Sequence, residues 1–203
     1  FPPPQPEVVS AWRQELGLEN AEIIGFAGRW VEEKGFDYLL QAVPRILDRH
    51  PRAVLLYAGE TRVVYERFYE RCRPLLEAHG ERIHELGLIT DPQRMANFYA
   101  LCDVFTLPSR TDCFASVQVE SMLSGTPVVA TEIPGARQVV RLSGMGRLVR
   151  PGDPQHLAEG ISDVLDDPAA CTRPREEIAR IFDYDKAISD YEALLESLLP
   201  VKD

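Results

Sequence analysis

Short apolar runs that end in glycine alternate along this chain with longer stretches of helical spacing, and that alternation leaves few folds open. Ile23-Ile24-Gly25-Phe26-Ala27-Gly28 and Ala53-Val54-Leu55-Leu56-Tyr57-Ala58-Gly59 are apolar throughout rather than at every second residue, as strands buried on both faces require. Between them, Phe36, Leu39, Leu40, Val43, Ile46 and Leu47 recur at helical spacing, with Pro44 expected to kink the helix. Further strands are predicted over 83–86, 104–107, 127–130 and 148–149. Helices are predicted over 64–76, 95–101, 116–123 and 156–165, and two more over 178–199, split around Phe182 and Asp183. Strands alternating with helices are βαβ units. The expected fold is α/β: a doubly wound, Rossmann-like parallel sheet of about six strands with helices on both faces.

Composition narrows the partners. With 45% hydrophobic residues, 203 residues can bury a full core, which excludes a disordered chain. Twenty-two Lys and Arg against thirty-two Asp and Glu leave a formal charge of −10. That surplus argues against nucleic acid or an anionic membrane as partner, yet still allows a small anion in a locally basic pocket. No uncharged apolar run approaches the roughly 18 residues of a membrane-spanning helix. Cys72, Cys102, Cys113 and Cys171 share no C-x-x-C spacing and read as reduced thiols of a cytoplasmic protein. Phe1-Pro2-Pro3-Pro4-Gln5-Pro6 has neither the charge nor the apolar stretch of a signal peptide and reads as a stiff, extended linker. Residues 1–21 are accordingly expected to be an inter-domain linker and lead-in, and residues 22–203 the domain with its C-terminal helices.

Ligands of such sheets bind beyond the carboxyl ends of the strands, so chemistry is expected after Gly28, Gly59, Leu86, Leu107, Ala130 and Val149. In the first loop, Gly28 permits close backbone approach, and Arg29 and Lys34 place two cations beside a helix start, a combination suited to a diphosphate. In the loop after Leu107, the amides near Phe114, Ala115 and Ser116 form a second anion seat. Asp112 and Glu120 could face one cavity and hold the vicinal hydroxyls of a ribose or sugar. Each feature also has a plainer reading. Arg29 and Lys34 could pair with Glu32 and Glu33, Asp112 could cap a helix, and Glu120 could lie on an exposed helix face. Pro134-Gly135 reads as a glycine turn after a strand. Asp183-Tyr184-Asp185 resembles a metal–diphosphate motif, but it opens an amphipathic helix, so Asp183 is expected to be an N-cap. His50, His79, His84 and His156 lack metal-ligand spacing, and Ser116 and Ser121 lack the nucleophile-elbow context of a serine hydrolase.

Taken in order, the segments 24–42, 100–110, 112–120, 125–131 and 149–153 resemble the C-terminal, donor-binding half of retaining GT-B glycosyltransferases of family 4. The likeness runs from about residue 22 onward. It implies that Arg29 and Lys34 hold the diphosphate of a UDP-sugar or GDP-sugar and stabilise the leaving group. It further implies that Asp112, in the first position of an E-x7-E motif, touches the donor sugar, and that Glu120 in the second holds the ribose hydroxyls. Backbone near Gly28 and Phe114 to Ser116 would meet phosphate and sugar, and backbone near Leu88 the base. No metal or other cofactor is implied, and Arg29, Lys34 and Asp112 are the residues nearest the reaction. The chain departs from the family pattern at Asp112, which is one methylene short of Glu. It departs again at Ala115, which replaces a frequent Gly and is expected to crowd the phosphate loop, at Gly59-Glu60-Thr61, and at Gln138. The acceptor would be bound by an N-terminal half, leaving this half cytoplasmic and without evident membrane contact of its own. A stand-alone nucleotide-binding or regulatory module, or half of a sugar-nucleotide epimerase, remain the alternatives.

Overall fold

The computed structural model describes residues 1–61, 63 and 66–198. Six strands form one sheet: β1 (Glu22–Ala27), β2 (Ala53–Ala58), β3 (Ile83–Glu85), β4 (Val104–Leu107), β5 (Val128–Thr131) and β6 (Gly146–Val149). Their order is β3-β2-β1-β4-β5-β6, and every neighbouring pair is parallel. Side chains of alternate residues fall on opposite faces, and both faces are covered. Ile23, Leu56, Phe105, Val128 and Ala130 enter one core. Ile24, Leu55, Tyr57, Val104 and Val129 enter the other. The continuous apolar runs are thus explained by burial on both sides. The expected doubly wound, Rossmann-like α/β fold is the one observed.

Three helices cover the second core: α2 (Phe36–Arg49), α3 (Phe68–His79) and α7 (Pro154–Asp166). Helix α2 buries Phe36, Leu39, Leu40, Val43 and Ile46, and it continues unbroken through Pro44. Val64, the expected start of α3, lies outside the described residues, as does Leu199. The first core is covered by α4 (Pro92–Leu101), α5 (Ser116–Leu123), α6 (Pro134–Ser143) and α8 (Arg175–Ile181). Asp91 and Asp153 cap α4 and α7, each accepting the N–H three residues on at 2.7 and 2.9 Å, with a proline in the first turn.

Two helices were not expected from the sequence. The Pro134-Gly135 turn is instead the first turn of α6, where proline's fixed φ suits a helix start. Gly135 is required there because a Cβ would strike the carbonyl of Asp112. The other is α1 (Pro6–Glu15), which buries no residue completely but lays Val9 and Trp12 on the first core, with the Arg94 guanidinium 5.1 Å from the Trp12 ring. Residues ahead of it rest on α4, since the Gln5 N–H donates to Asn97 Oδ1 at 2.8 Å and Gln93 Nε2 donates to the Pro3 carbonyl at 2.8 Å. The final helix, α9 (Tyr184–Leu198), starts at Asp183 as expected, with Asp183 Oδ1 accepting the Lys186 N–H at 2.9 Å. It buries none of its residues. Ile188, Tyr191, Leu194, Leu195 and Leu198 form an apolar stripe open to solvent.

Candidate functional site

Strand order reverses between β1 and β4, and in sheets of this kind ligands bind beyond the carboxyl ends of the strands at such a reversal. The loops after β1 and β4 therefore hold the positions where a ligand of this fold binds. The first is anchored by Trp30, fully buried with its ring centroid 4.2, 4.9 and 5.0 Å from those of Phe36, Tyr57 and Tyr69. Tyr57 Oη donates to the Gly28 carbonyl at 2.7 Å, and the Trp30 N–H donates to the Glu60 carbonyl at 2.9 Å. Burial raises the pKa of Tyr57, helped by Glu85 and Glu60, which keeps that phenol a donor. Gly35, at φ 66°, closes the loop and starts α2.

Arg110 ties the two loops together. Its backbone N–H donates to the Glu33 carbonyl at 2.7 Å, and its guanidinium grips Asp37 through two bonds of 2.9 and 2.7 Å. The same group lies 4.0 Å from the Tyr38 ring centroid. Held this way, the loops bring Lys34 Nζ to 2.8 Å from Asp112 Oδ2, an ion pair in which the side chains are 26% and 11% exposed. Lys34 therefore pairs with Asp112, not with Glu32 or Glu33, and Glu32 meets Arg71 instead. Asp112 does not cap α5; Ala115 occupies the N-cap without a capping side chain. The Ala115 methyl belongs to the first core and is 5% exposed. Phe114 and Ser116 are exposed around that helix start, and Gln138 is exposed on α6.

A cleft of about 410 Å³ lies over the ends of β1 and β2, within the size range of small-molecule sites. Gly28, Arg29, Gly59 and Glu60 form its base, Leu88, Ile89, Met95 and Val117 its apolar walls, and Tyr99 and Glu120 a polar corner. Of the residues picked from the sequence, the cleft gathers Gly28, Arg29, Leu88 and Glu120. Lys34 and Asp112 form their own pair, and Phe114, Ala115 and Ser116 mark the α5 start; none of these five lines the cleft. Tyr99, Met95 and Val117 escaped the sequence reading because apolar residues on helices look like core, and Ile89 because it lies in a loop with no motif to mark it. Among the described residues no group of three His, Cys, Asp or Glu side chains could hold a metal ion. Among them, too, no helix is long and apolar enough to cross a membrane. All four cysteines are free, and Cys113 is the exposed one.

Residues 21–167 match the family described as Glycosyl transferases group 1. The chain belongs to that family. It is 34% identical over 167 residues to a D-inositol 3-phosphate glycosyltransferase of Corynebacterium urealyticum, covering 76% of this chain and 38% of that one. A GDP-mannose-dependent monoacylated phosphatidylinositol monomannoside mannosyltransferase of Corynebacterium glutamicum is 32% identical over 176 residues, covering 83% and 44%. Among solved structures, HepE of Anabaena in complex with UDP superposes with a TM-score of 0.82 at 27% identity, covering 97% of this chain and 54% of that one. Such neighbours share the Rossmann-like sheet of GT-B glycosyltransferases. The group 1 chain spans about two fifths of the length of the curated relatives it matches.

Proposed function

We propose that this chain is the donor-binding domain of a retaining family 4 glycosyltransferase, one that moves a hexosyl group from a nucleoside-diphosphate sugar to an acceptor. The observation that carries this reading is the convergence of Gly28, Arg29 and Glu120 on one cleft over the carboxyl ends of β1 and β2, beside the Lys34–Asp112 pair. The UDP and UDP-glucose held by HepE support a nucleotide-sugar donor, and the GDP-mannose-dependent relative keeps both UDP-sugars and GDP-sugars in play. On this reading, Arg29 and Lys34 take the diphosphate and stabilise the charge that develops on it as the glycosidic bond breaks. Glu120 accepts from the ribose hydroxyls, Leu88 and its neighbours flank the base, and Asp112 orients the sugar. The α5 start at Phe114, Ala115 and Ser116 supplies amides to phosphate and sugar. No covalent nucleophile and no metal ion enter the step, and retention follows from front-face attack. Residues 22–203 form the donor domain and residues 1–21 the lead-in from an acceptor-binding half. The protein is placed in the cytoplasm, with any membrane contact made through that other half. This chain alone is expected to bind donor but transfer no sugar.

The ion pair gives the reading a signed test. Lys34 must leave Asp112 to meet a diphosphate, and the Asp112 charge repels that ligand. Asp112→Asn keeps the shape and removes the competitor, so UDP or GDP should bind about two- to fivefold tighter by calorimetry, the worth of a partly exposed ion pair. Turnover by the full-length enzyme should fall, because the sugar contact is weakened. Loss of nucleotide affinity in Asp112→Asn would overturn the assignment.

Cys113 offers a footprint of the same loop. It is exposed beside Asp112, whereas Cys72, Cys102 and Cys171 are buried. Burial pushes the Cys72 thiol up to about 11 and the Cys102 thiol well above its ordinary value, so both are poor sources of reactive thiolate at pH 8. Iodoacetamide should label Cys113 first, and saturating UDP or GDP should slow that labelling several-fold when followed by mass spectrometry. Labelling at an unchanged rate would place the nucleotide away from this loop.

A further inference from the structure

A carboxylate that must accept from two vicinal hydroxyls works only if its plane is fixed, and Glu120 sits on a helix face where its side chain would otherwise turn freely. One oxygen of Glu120 is engaged: Tyr99 Oη, reaching from α4, donates to Oε2 at 3.0 Å, and both residues line the cleft. Tyr99 itself cannot move. It is fully buried, its ring meets Phe105 edge-on at 5.1 Å and Phe1 at 6.1 Å, and its carbonyl accepts the Thr126 hydroxyl at 2.6 Å. Burial, reinforced by the Glu120 charge, raises the pKa of the phenol far above neutrality, so it donates at any working pH. An ionised carboxylate offers about four acceptor sites, so Oε1 and the remaining lone pair of Oε2 stay open to the cleft. We infer that Tyr99 is a positioning residue that fixes the Glu120 carboxylate for the ribose diol. Its hydroxyl would thereby set the preference for ribonucleotide over deoxyribonucleotide. This inference rests on the assignment of Glu120 to the ribose given above.

The test is the ratio of dissociation constants for a nucleotide and its 2′-deoxy form, measured by calorimetry on the 203-residue chain and on Tyr99→Phe. UDP with 2′-deoxy-UDP and GDP with 2′-deoxy-GDP are both titrated. The parent chain should prefer the ribonucleotide about tenfold, the worth of one hydrogen bond to a charged group. Tyr99→Phe should bind the ribonucleotide three- to tenfold more weakly and the deoxynucleotide almost unchanged, so the ratio collapses. Because both ligands report on the same folded fraction, partial unfolding of the variant cancels in the ratio. A ratio that survives Tyr99→Phe overturns the positioning role. No preference in the parent overturns the ribose assignment of Glu120 instead, and absence of binding to either nucleotide overturns the donor-domain reading itself.

Discussion

A chain carrying both Arg29→Ala and Lys34→Ala is expected to bind nucleoside diphosphates about 10²- to 10⁴-fold more weakly than the parent. Hydrogen bonds to charged groups are worth roughly 1.5–3 kcal/mol each, and two such groups are removed at once. The loss is deepened because Asp112, which Lys34 now neutralises at 2.8 Å, would face the diphosphate uncompensated. Part of the attraction is screened by salt, so the gap between parent and variant should narrow as ionic strength rises. Stability should change little, since Arg29 is exposed, Lys34 is partly so, and neither belongs to a core. Calorimetry at fixed salt decides the matter. A variant that keeps affinity within a few-fold of the parent would move the diphosphate elsewhere.

Gly35→Ala is expected to be among the most destabilising single-methyl additions in the molecule. Its φ of 66° costs an alanine roughly 1–2 kcal/mol, and the new Cβ would collide with the Pro108 carbonyl oxygen. Overpacking of that kind adds about 1–3 kcal/mol. A total of about 2–5 kcal/mol is a large part of the roughly 5–15 kcal/mol that holds a domain folded. The contact lies where the two candidate binding loops meet, so relief of the clash would also part Lys34 from Asp112. Gly17→Ala is the matched comparison. Its φ of 68° carries the same backbone cost, but a Cβ there would meet nothing within 4 Å. Urea denaturation should show a much earlier midpoint for Gly35→Ala than for Gly17→Ala. Equal midpoints would mean the loops give way without cost.

The sheet was legible in the sequence because double burial leaves an unmistakable trace, apolar at every position of β2 and at all but the first of β1. Helix α1 was not, because a helix lying on a surface with only Val9 and Trp12 turned inward carries a faint pattern and follows five residues rich in proline. Helix α6 had the signal, with Ala136, Val139, Val140 and Ser143 at helical spacing. The proline–glycine pair at its head masked it, although proline is at home in a first turn. For the candidate site, strand ends pointed to Arg29 and Lys34, the helix after the second loop offered Glu120, and Leu88 came only from the family resemblance. The Lys34–Asp112 pair spans 78 residues and could be seen only once β1 and β4 lay side by side. Tyr99 was hidden for another reason: a buried aromatic on a helix looks like packing until its hydroxyl is found to have a charged partner.

The bottom of the cleft has a bearing on redesign. Gly28 and Gly59 floor it, with the Gly28 N–H bonded to the Ala58 carbonyl at 3.0 Å and the Gly59 N–H to the Gly87 carbonyl at 2.9 Å. A Cβ on Gly59 would strike the Gly28 carbonyl oxygen, so at Gly59 the surface must stay bare main chain. That position cannot be exchanged to reshape the cleft. Variation has to come from the rim, and Leu88, 68% exposed and outside both cores, can change without disturbing the fold. On the proposed reading, a library centred on Leu88 would explore donor preference while leaving the Gly28 and Gly59 backbone untouched.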